Sequence, residues 1–190
     1  VFVGSEKETW NMCPDALEKA ILNRLENGIQ PKAILLVHLY GMPAKMDEIV
    51  TLSRKYNIPI LEDAAEALGS TYHGKPCGTF GDFGVLSFNG NKIITTSGGG
   101  ALICHSETAK EKAIFLATQA KEAATHYEHK QIGYNYRMSN ISASIGLGQL
   151  EVLSKHIQLR RQNHLFYKQL FDTLSEVTLH QEPNENFISN

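Results

Sequence analysis

The chain has 190 residues, enough to bury one substantial core, and its 42% hydrophobic and 20% charged residues are ordinary for a globular protein. A formal charge of −2 provides no basic surface for nucleic acid, and no apolar run approaches the roughly 18–20 residues that span a membrane. The three cysteines form no CxxC pair and the eight histidines are scattered, so we expect no metal site and a reducing, cytoplasmic compartment.

Short apolar segments alternate with amphipathic ones, and this pattern is typical of an α/β sheet. We predict a strand over Val1–Val3 and a helix that starts at Pro14. The near-continuous apolar run Ala33–Leu39 predicts a strand that is buried on both faces. A second helix is predicted from about Ala44, followed by a strand over Pro59–Leu61.

Glycine is frequent in the centre of the chain. The stretch from Gly69 to Gly84 predicts turns and short strands. Two further strands are predicted over Gly84–Phe88 and Ala101–Cys104, on either side of a second group of glycines.

Helical periodicity returns in the last third of the chain. Apolar residues at helical spacing predict a helix across Ala109–Ala120, and the polar and aromatic stretch 122–137 indicates a loop. Ser139 is a predicted N-cap of a long helix that runs or kinks towards Phe171.

Three polar residues follow or end predicted strands. Asp63 would project from the carboxyl end of its strand, where ligands bind in open α/β sheets, or would cap a helix near Ala64. Lys92 lies between a short strand and the glycines Gly98–Gly100, although a single loop lysine is ordinarily a solvated one. Ser87 adds a hydroxyl donor in the same region.

Together these residues fit the chemistry of pyridoxal 5′-phosphate (PLP). That chemistry needs a lysine amine, an acid beside the ring nitrogen and hydrogen-bond donors for a phosphate. Partial desolvation makes an amine a nucleophile towards carbonyls, so Lys92 would carry the cofactor as a Schiff base. Asp63 would keep the ring nitrogen protonated, and Ser87 would bind the phosphate.

Three segments carry a resemblance to a known family: VHLYGMPAKMDEI, EDAAEALGSTYHGKPCGTFGDFGVLSFNGNKIITTSGGGAL and GYNYRMSNISASIGLGQLE. They resemble the DegT/DnrJ/EryC1/StrS family of PLP-dependent sugar aminotransferases, over Val1 to about Tyr167. The resemblance implies the large domain of a fold type I aminotransferase, an α/β fold with a mostly parallel central sheet flanked by helices. It implies a partial PLP-binding domain over 1–150, and a long helix with the start of a truncated small domain over 151–190. We therefore expect the fold to be incomplete at both ends.

The resemblance also assigns residues to roles. Lys92, Asp63 and Ser87 match the cofactor lysine, the partner of the ring nitrogen and the phosphate-binding hydroxyl. Glu66 falls where the family has Gln or Glu near the cofactor ring. Asn135 matches a residue that reaches the phosphate of the neighbouring subunit, which implies a homodimer with shared active sites.

The segment SFNGNKIITT is most similar to enzymes that aminate UDP-linked 4-keto-6-deoxy-N-acetyl sugars in bacillosamine-type pathways. The resemblance therefore implies transfer of an amino group from L-glutamate to a nucleotide-linked 4-keto-6-deoxy sugar. Two alternatives stay open: a PLP-family sugar dehydratase, which would carry a histidine at the position of Lys92, and a non-catalytic remnant of the fold. An oxidoreductase is disfavoured because no GxGxxG follows an early strand.

The roles of several aromatic and histidine side chains near these segments stay open between ligand contact and packing. His38 and Tyr40, at the end of a predicted strand, either contact a ligand or pack in the core. The tyrosines of the 122–137 loop either line a substrate channel or, as we favour, a dimer interface: Tyr127, Tyr134 and Tyr136.

Overall fold

The computed structural model describes residues 1–190 and has the predicted α/β architecture. The helices are α1 (Pro14–Glu26), α2 (Met46–Tyr56), α3 (Glu107–Ala117), α4 (Asn140–Leu150) and α5 (Leu153–Phe171), with a short 3-10 turn at Leu39–Gly41. The strands are β1 (Ile34–Val37), β2 (Ile60–Asp63), β3 (Thr71–Tyr72), β4 (Lys75–Pro76), β5 (Phe83–Ser87), β6 (Gly100–Cys104) and β7 (Phe187–Ile188). None of the helices combines the length and the apolar character that a membrane crossing needs.

The main sheet has the strand order β1-β2-β5-β6. Strands β1, β2 and β5 are parallel, and β6 runs antiparallel to β5. The register aligns Val37 with Asp63 and Asp63 with Val85. Because parallel strands bring their carboxyl ends to the same edge, the segments that follow β1, β2 and β5 lie together there.

One face of this sheet is buried by the first two helices. Pro14 stands at the start of α1 as predicted, and α2 presents apolar residues at helical spacing. The core joins residues of α1, α2, β1 and β2: Leu17, Ile21, Met46, Ile49, Leu52, Ile34, Leu36 and Ile60. Leu52 completes the buried side of α2 together with Met46 and Ile49.

The opposite face of the sheet is apolar and open. Leu35 is 57% exposed, and the side chains of Val37, Phe83, Val85 and Leu102 are also exposed. The expectation that β1 is buried on both faces is therefore wrong. The physical reason is that α1 and α2 cover only the side on which Ile34 and Leu36 lie.

Both ends of the chain differ from the sequence-based expectation. Val1–Val3 forms no strand, and Phe2 is fully exposed. At the other end, the two-residue strand β7 was not predicted; it pairs antiparallel with β3 and buries Phe187 edge-on against Tyr72, with ring centroids 4.8 Å apart. The domain boundary between residues 150 and 151 stays a prediction.

The last three helices lie on the surface. Neither α3, α4 nor α5 contains a buried residue. The predicted long helix is present with a break, since α4 ends at Leu150 and α5 starts at Leu153. Ser139 is the N-cap as predicted, and its hydroxyl oxygen accepts a hydrogen bond from the Ser142 N–H at 3.2 Å.

Candidate active site

Lys92 lies in a small pocket at the carboxyl edge of the parallel strands. The pocket has a volume of about 130 Å³ and is lined by Tyr40, Ala65, Glu66, Leu68, Ser87, Asn91, Lys92, Ile93 and Arg160. Lys92 Nζ is 3.1 Å from Glu66 Oε1, and the lysine side chain is only 16% exposed. Glu66 Oε2 accepts a hydrogen bond from the Tyr40 N–H at 3.1 Å. Glu66 therefore connects the loop after β1 to the loop that carries Lys92.

The loop 88–99, which carries Lys92, is held by its own backbone and by α5. The Thr96 N–H donates to the Phe88 carbonyl at 2.9 Å. His156 of α5 lies with Nδ1 3.0 Å from the Ile93 carbonyl oxygen, a contact that requires a proton on that nitrogen. Ile93 is also buried, so the backbone next to Lys92 is held both by the contact with His156 and by the packing of the Ile93 side chain.

Asp63 ends β2 on the open face of the sheet, between Val37 and Val85 of the neighbouring strands. Its Oδ1 accepts a hydrogen bond from the Ala65 N–H at 3.1 Å. No helix starts there, so the carboxylate stabilises a turn and not the helix that the sequence allowed. Oδ2 has no protein partner and remains available to a ligand. Asp63 lies outside the wall of the Lys92 pocket, two residues before Ala65, which lines it.

Ser87 and Asn135 have different positions. Ser87 ends β5 and lines the pocket, and its Oγ accepts a hydrogen bond from the Asn89 N–H at 3.3 Å, which leaves the hydroxyl hydrogen free to be donated. Asn135 is exposed and forms a β-bridge with Thr118, away from the pocket wall. The structure thus brings Lys92, Glu66 and Ser87 together, and the role of Asn135 stays a prediction.

A buried acid next to Asp63 was not identified from the sequence. Glu62 is fully buried, and its carboxylate accepts hydrogen bonds from His38 Nε2 at 3.0 Å and from the backbone N–H groups of Gly78 at 2.7 Å, Phe80 at 2.6 Å and Gly81 at 2.5 Å. Burial raises the pKa of Glu62, but the bonds from His38, Gly81 and Gly78 outweigh it and hold the pKa below its ordinary value.

His38 packs in the core and does not face the ligand edge. The Ala44 N–H donates to His38 Nδ1 at 3.0 Å, so Nδ1 is unprotonated and Nε2 carries the hydrogen that is donated to Glu62. Tyr40, in contrast, is 72% exposed and lines the Lys92 pocket. The sequence could have predicted the burial of Glu62, because alternate residues of a strand lie on the same face and residue 62 therefore lies on the buried face with Ile60.

Known proteins resemble this chain in sequence and in fold. The model of the DegT/DnrJ/EryC1/StrS aminotransferase family matches residues 1–189. A protein of Bacillus subtilis (strain 168), EpsN, named as a pyridoxal phosphate-dependent aminotransferase, is 56% identical over 177 residues, which are 93% of this chain and 46% of that protein. GDP-perosamine synthase of Escherichia coli O157:H7 is 42% identical over 187 residues, 98% of this chain and 49% of that enzyme.

A solved structure of the same family has the same fold. The aminotransferase from Brucella abortus superimposes with a TM-score of 0.91 at 28% sequence identity, covering 100% of this chain and 50% of that chain. The predicted fold class is therefore confirmed. The chain spans about half the length of the relatives it matches.

Proposed function

Because the chain belongs to the DegT/DnrJ/EryC1/StrS aminotransferase family, whose members depend on PLP, we propose that the protein uses Lys92 to transfer an amino group from L-glutamate to a nucleotide-linked 4-keto-6-deoxy sugar. The observation that carries the proposal is the pairing of Lys92 Nζ with Glu66 Oε1 at 3.1 Å, in a pocket at the carboxyl edge of the parallel strands. The name GDP-perosamine synthase supports a nucleotide-linked sugar as the acceptor. We propose the cytoplasm as the location of this reaction.

The side chains around the pocket fit PLP in charge and in hydrogen-bonding capacity. The free Oδ2 of Asp63 can accept the N–H of a protonated pyridine ring, and the hydroxyl of Ser87 can donate to a phosphate. Lys92 is the pocket's primary amine, and its ion partner Glu66 is in place to take up its proton.

When bound, PLP supplies a ring that withdraws electrons from the carbon that carries the amino group. Asp63 would strengthen that withdrawal by keeping the ring nitrogen protonated, since a carboxylate favours a nearby positive charge. Lys92 would move the proton to and from that carbon as a general acid and base. Glu66, held by the Tyr40 N–H, would orient the lysine amine between these steps.

A homodimer with shared active sites is part of the proposal. The helices α3, α4 and α5 bury no side chain within the chain, and the loop 122–137 exposes tyrosines, of which Tyr134 and Tyr136 stack at 5.0 Å. Asn135 lies between these two tyrosines and is exposed, which supports its expected contact with the neighbour's phosphate. Light scattering should give twice the chain mass; the mass of a single chain would contradict this part of the proposal.

Reductive trapping tests the attachment site. The chain is incubated with PLP, reduced with borohydride and digested, and the modified peptides are identified by mass spectrometry. We expect the label on Lys92, loss of the label in Lys92→Ala, and an unchanged label in the control Lys155→Ala, whose side chain is exposed on α5. A label spread evenly over surface lysines would contradict the assignment.

The amino donor is tested separately. Addition of L-glutamate to the PLP-loaded protein should replace the visible absorption band of the cofactor by the band of its aminated form. A band that does not respond to L-glutamate would exclude this donor, while leaving Lys92 as the attachment site.

A further inference from the structure

Two helices that bury no side chain of their own, α4 and α5, hold the backbone of the loop that carries Lys92. His156 of α5 donates a hydrogen bond through Nδ1 to the Ile93 carbonyl oxygen at 3.0 Å. Gln149 of α4 accepts a hydrogen bond through Oε1 from the Thr95 N–H at 3.3 Å. The two bonded backbone groups follow Lys92 by one and three residues, so the helices grip the loop directly beside the lysine.

The spacing of Gln149 and His156 explains why both side chains reach the same loop. They are seven residues apart, which is about two turns of a helix and places them on the same side. The helical path continues through the break between α4 and α5, because the Val152 N–H donates to the Gln149 carbonyl at 3.2 Å and the His156 N–H donates to the Val152 carbonyl at 3.0 Å.

The loop needs these side chains, because it has no regular structure that could pair its own backbone. Residues 92–96 lie in neither a helix nor a strand, and Ile93 and Ile94 are buried. Neither the Ile93 carbonyl nor the Thr95 N–H forms a hydrogen bond with another backbone group. Buried backbone polar groups are nearly always paired, and here the side chains of the two helices pair them.

The start of α5 also contacts the segment between β2 and β3, which carries Glu66. Ile157 lies so close to Gly69 of this segment that a Cβ on the glycine would overlap the isoleucine side chain. His156 is the preceding residue of α5 and binds the loop of Lys92. The same turn of helix therefore fixes the segment of Glu66 and the loop of Lys92 relative to each other.

We propose that His156, assisted by Gln149, is a positioning residue for Lys92, a role that rests on the proposed function for the chemistry that the lysine performs. His156 does not line the Lys92 pocket, so it acts through the backbone of the loop. Its hydrogen bond keeps the Lys92 amine next to Glu66, where the two side chains are 3.1 Å apart. A displacement of about 1 Å can slow a reaction roughly a hundredfold, so this hold on the backbone matters for catalysis.

Competitive labelling with acetic anhydride tests the proposal without PLP, on the full chain, with mass spectrometry to quantify each lysine. The reagent attacks only accessible, unprotonated amines. Lys92 is 16% exposed and paired with Glu66, so it should react more slowly than the exposed Lys155. In His156→Ala, we expect the rate of Lys92 relative to Lys155 to rise about fivefold, the factor that corresponds to one typical hydrogen bond.

Conservative variants separate the hydrogen bond from the bulk of the side chain. His156→Asn places an amide nitrogen at the same number of bonds from the backbone as Nδ1, and it should restore the parent rate within about twofold. His156→Gln is one bond longer and should not restore it. At the second contact, Gln149→Glu keeps the acceptor oxygen and should behave as the parent, whereas Gln149→Ala should raise the rate of Lys92. The control His164→Ala changes an exposed histidine eight residues further along α5 and should have no effect.

Several results would overturn the inference. A hydrogen bond that serves stability alone would lower the free energy of unfolding of His156→Ala in urea and leave the relative rate of Lys92 unchanged in the folded chain. An equal rise in His164→Ala would also contradict the role. If His156→Ala does not fold, the comparison of His156→Asn with His156→Gln decides, and equal rates in these two variants would exclude the role.

The labelling and the trapping of PLP fail independently. A rate at Lys92 that depends on His156, combined with failure to trap PLP on Lys92, would contradict the proposed function and leave the positioning role standing. Trapping of PLP on Lys92 with a labelling rate that does not depend on His156 would support the proposed function and exclude the positioning role.

Discussion

Replacement of Glu62 by glutamine removes a charge from the most enclosed polar group of the sheet. In the parent, each carboxylate oxygen accepts two hydrogen bonds: Oε1 from the Phe80 and Gly81 N–H groups, and Oε2 from His38 and the Gly78 N–H. The glutamine amide has the same shape but only one oxygen. Its NH₂ group must therefore face two donors wherever the oxygen is placed.

The cost follows from the number of donors left without an acceptor. Each buried donor that loses its partner costs about 1–3 kcal/mol, so Glu62→Gln should lower the free energy of unfolding by about 2–6 kcal/mol. A change of tautomer at His38 gives no relief, because a hydrogen on Nδ1 would meet the Ala44 N–H. Since small proteins are stable by only about 5–15 kcal/mol, the loss should be large and easily measured.

The loss should also depend on pH. The folded environment lowers the pKa of Glu62 below its ordinary value of 4.5, so the unfolded chain binds the extra proton first on acidification. The contribution of Glu62 is therefore fully present above pH 4.5 and is lost as the pH falls through the lower pKa of the folded state. The difference in unfolding free energy between the parent and Glu62→Gln should be largest near neutral pH and should narrow in acid.

Urea unfolding followed by circular dichroism at several pH values measures both effects. The control is Glu176→Gln, an exposed residue without hydrogen bonds or ion pairs, which should change the free energy by less than about 0.5 kcal/mol. A loss at Glu62 no larger than that of the control, or a loss that is constant from pH 7 to acid, would refute the reasoning.

Three further predictions concern single positions. Asp63→Asn should weaken PLP affinity in a spectrophotometric titration while thermal stability stays within about 1 kcal/mol, and unchanged affinity would exclude contact with the ring nitrogen. Gly84→Ala should abolish soluble expression, because a Cβ there would overlap the Gly78 carbonyl oxygen. The control Gly90→Ala faces open space and should fold, so equal yields of the two variants would contradict this prediction. Ser139→Ala should destabilise α4 by about 1 kcal/mol, which would be measured as faster amide hydrogen exchange in α4. Ser139→Asp should keep the cap and restore slow exchange, and faster exchange outside α4 in Ser139→Ala would contradict the prediction.

The strand ends that form the Lys92 pocket were predictable from local patterns. Ser87 ends an apolar strand, and Lys92 follows within a glycine-rich loop. Both positions were predicted correctly because they depend on the neighbouring sequence and not on distant segments. The position of Glu66 was assigned by resemblance only. Its contacts with Lys92 and Tyr40 join three separate loops, and no spacing in the sequence contains that information.

The features that were missed or wrong depend on contacts between distant segments. The role of Glu62 arises from backbone amides at residues 78–81, whose donors any amino acid would provide, so the sequence carries no mark of them. Strand β7 is two residues long and exists only through pairing with β3. The burial of β1 was overestimated because an apolar sequence permits burial on both faces but does not show whether both are covered. In the structure α1 and α2 cover one face only, and Leu35 on the other face is exposed.

The reversed direction of β6 determines how firmly Lys92 is tied down. If β6 were parallel to β5, the connection between them would have to cross to the opposite edge of the sheet. Because β6 is antiparallel, Ser87 pairs with Gly100, and the loop between them begins and ends at the same edge. Both stems of the loop are thus anchored at the carboxyl edge of the parallel strands, so β5 and β6 together restrain Lys92. Much of the conformational entropy that is lost when the Lys92 amine is held in place is therefore lost during folding. Local opening of β6 would release that restraint. The rate of this opening therefore determines how long the Lys92 amine stays next to Glu66.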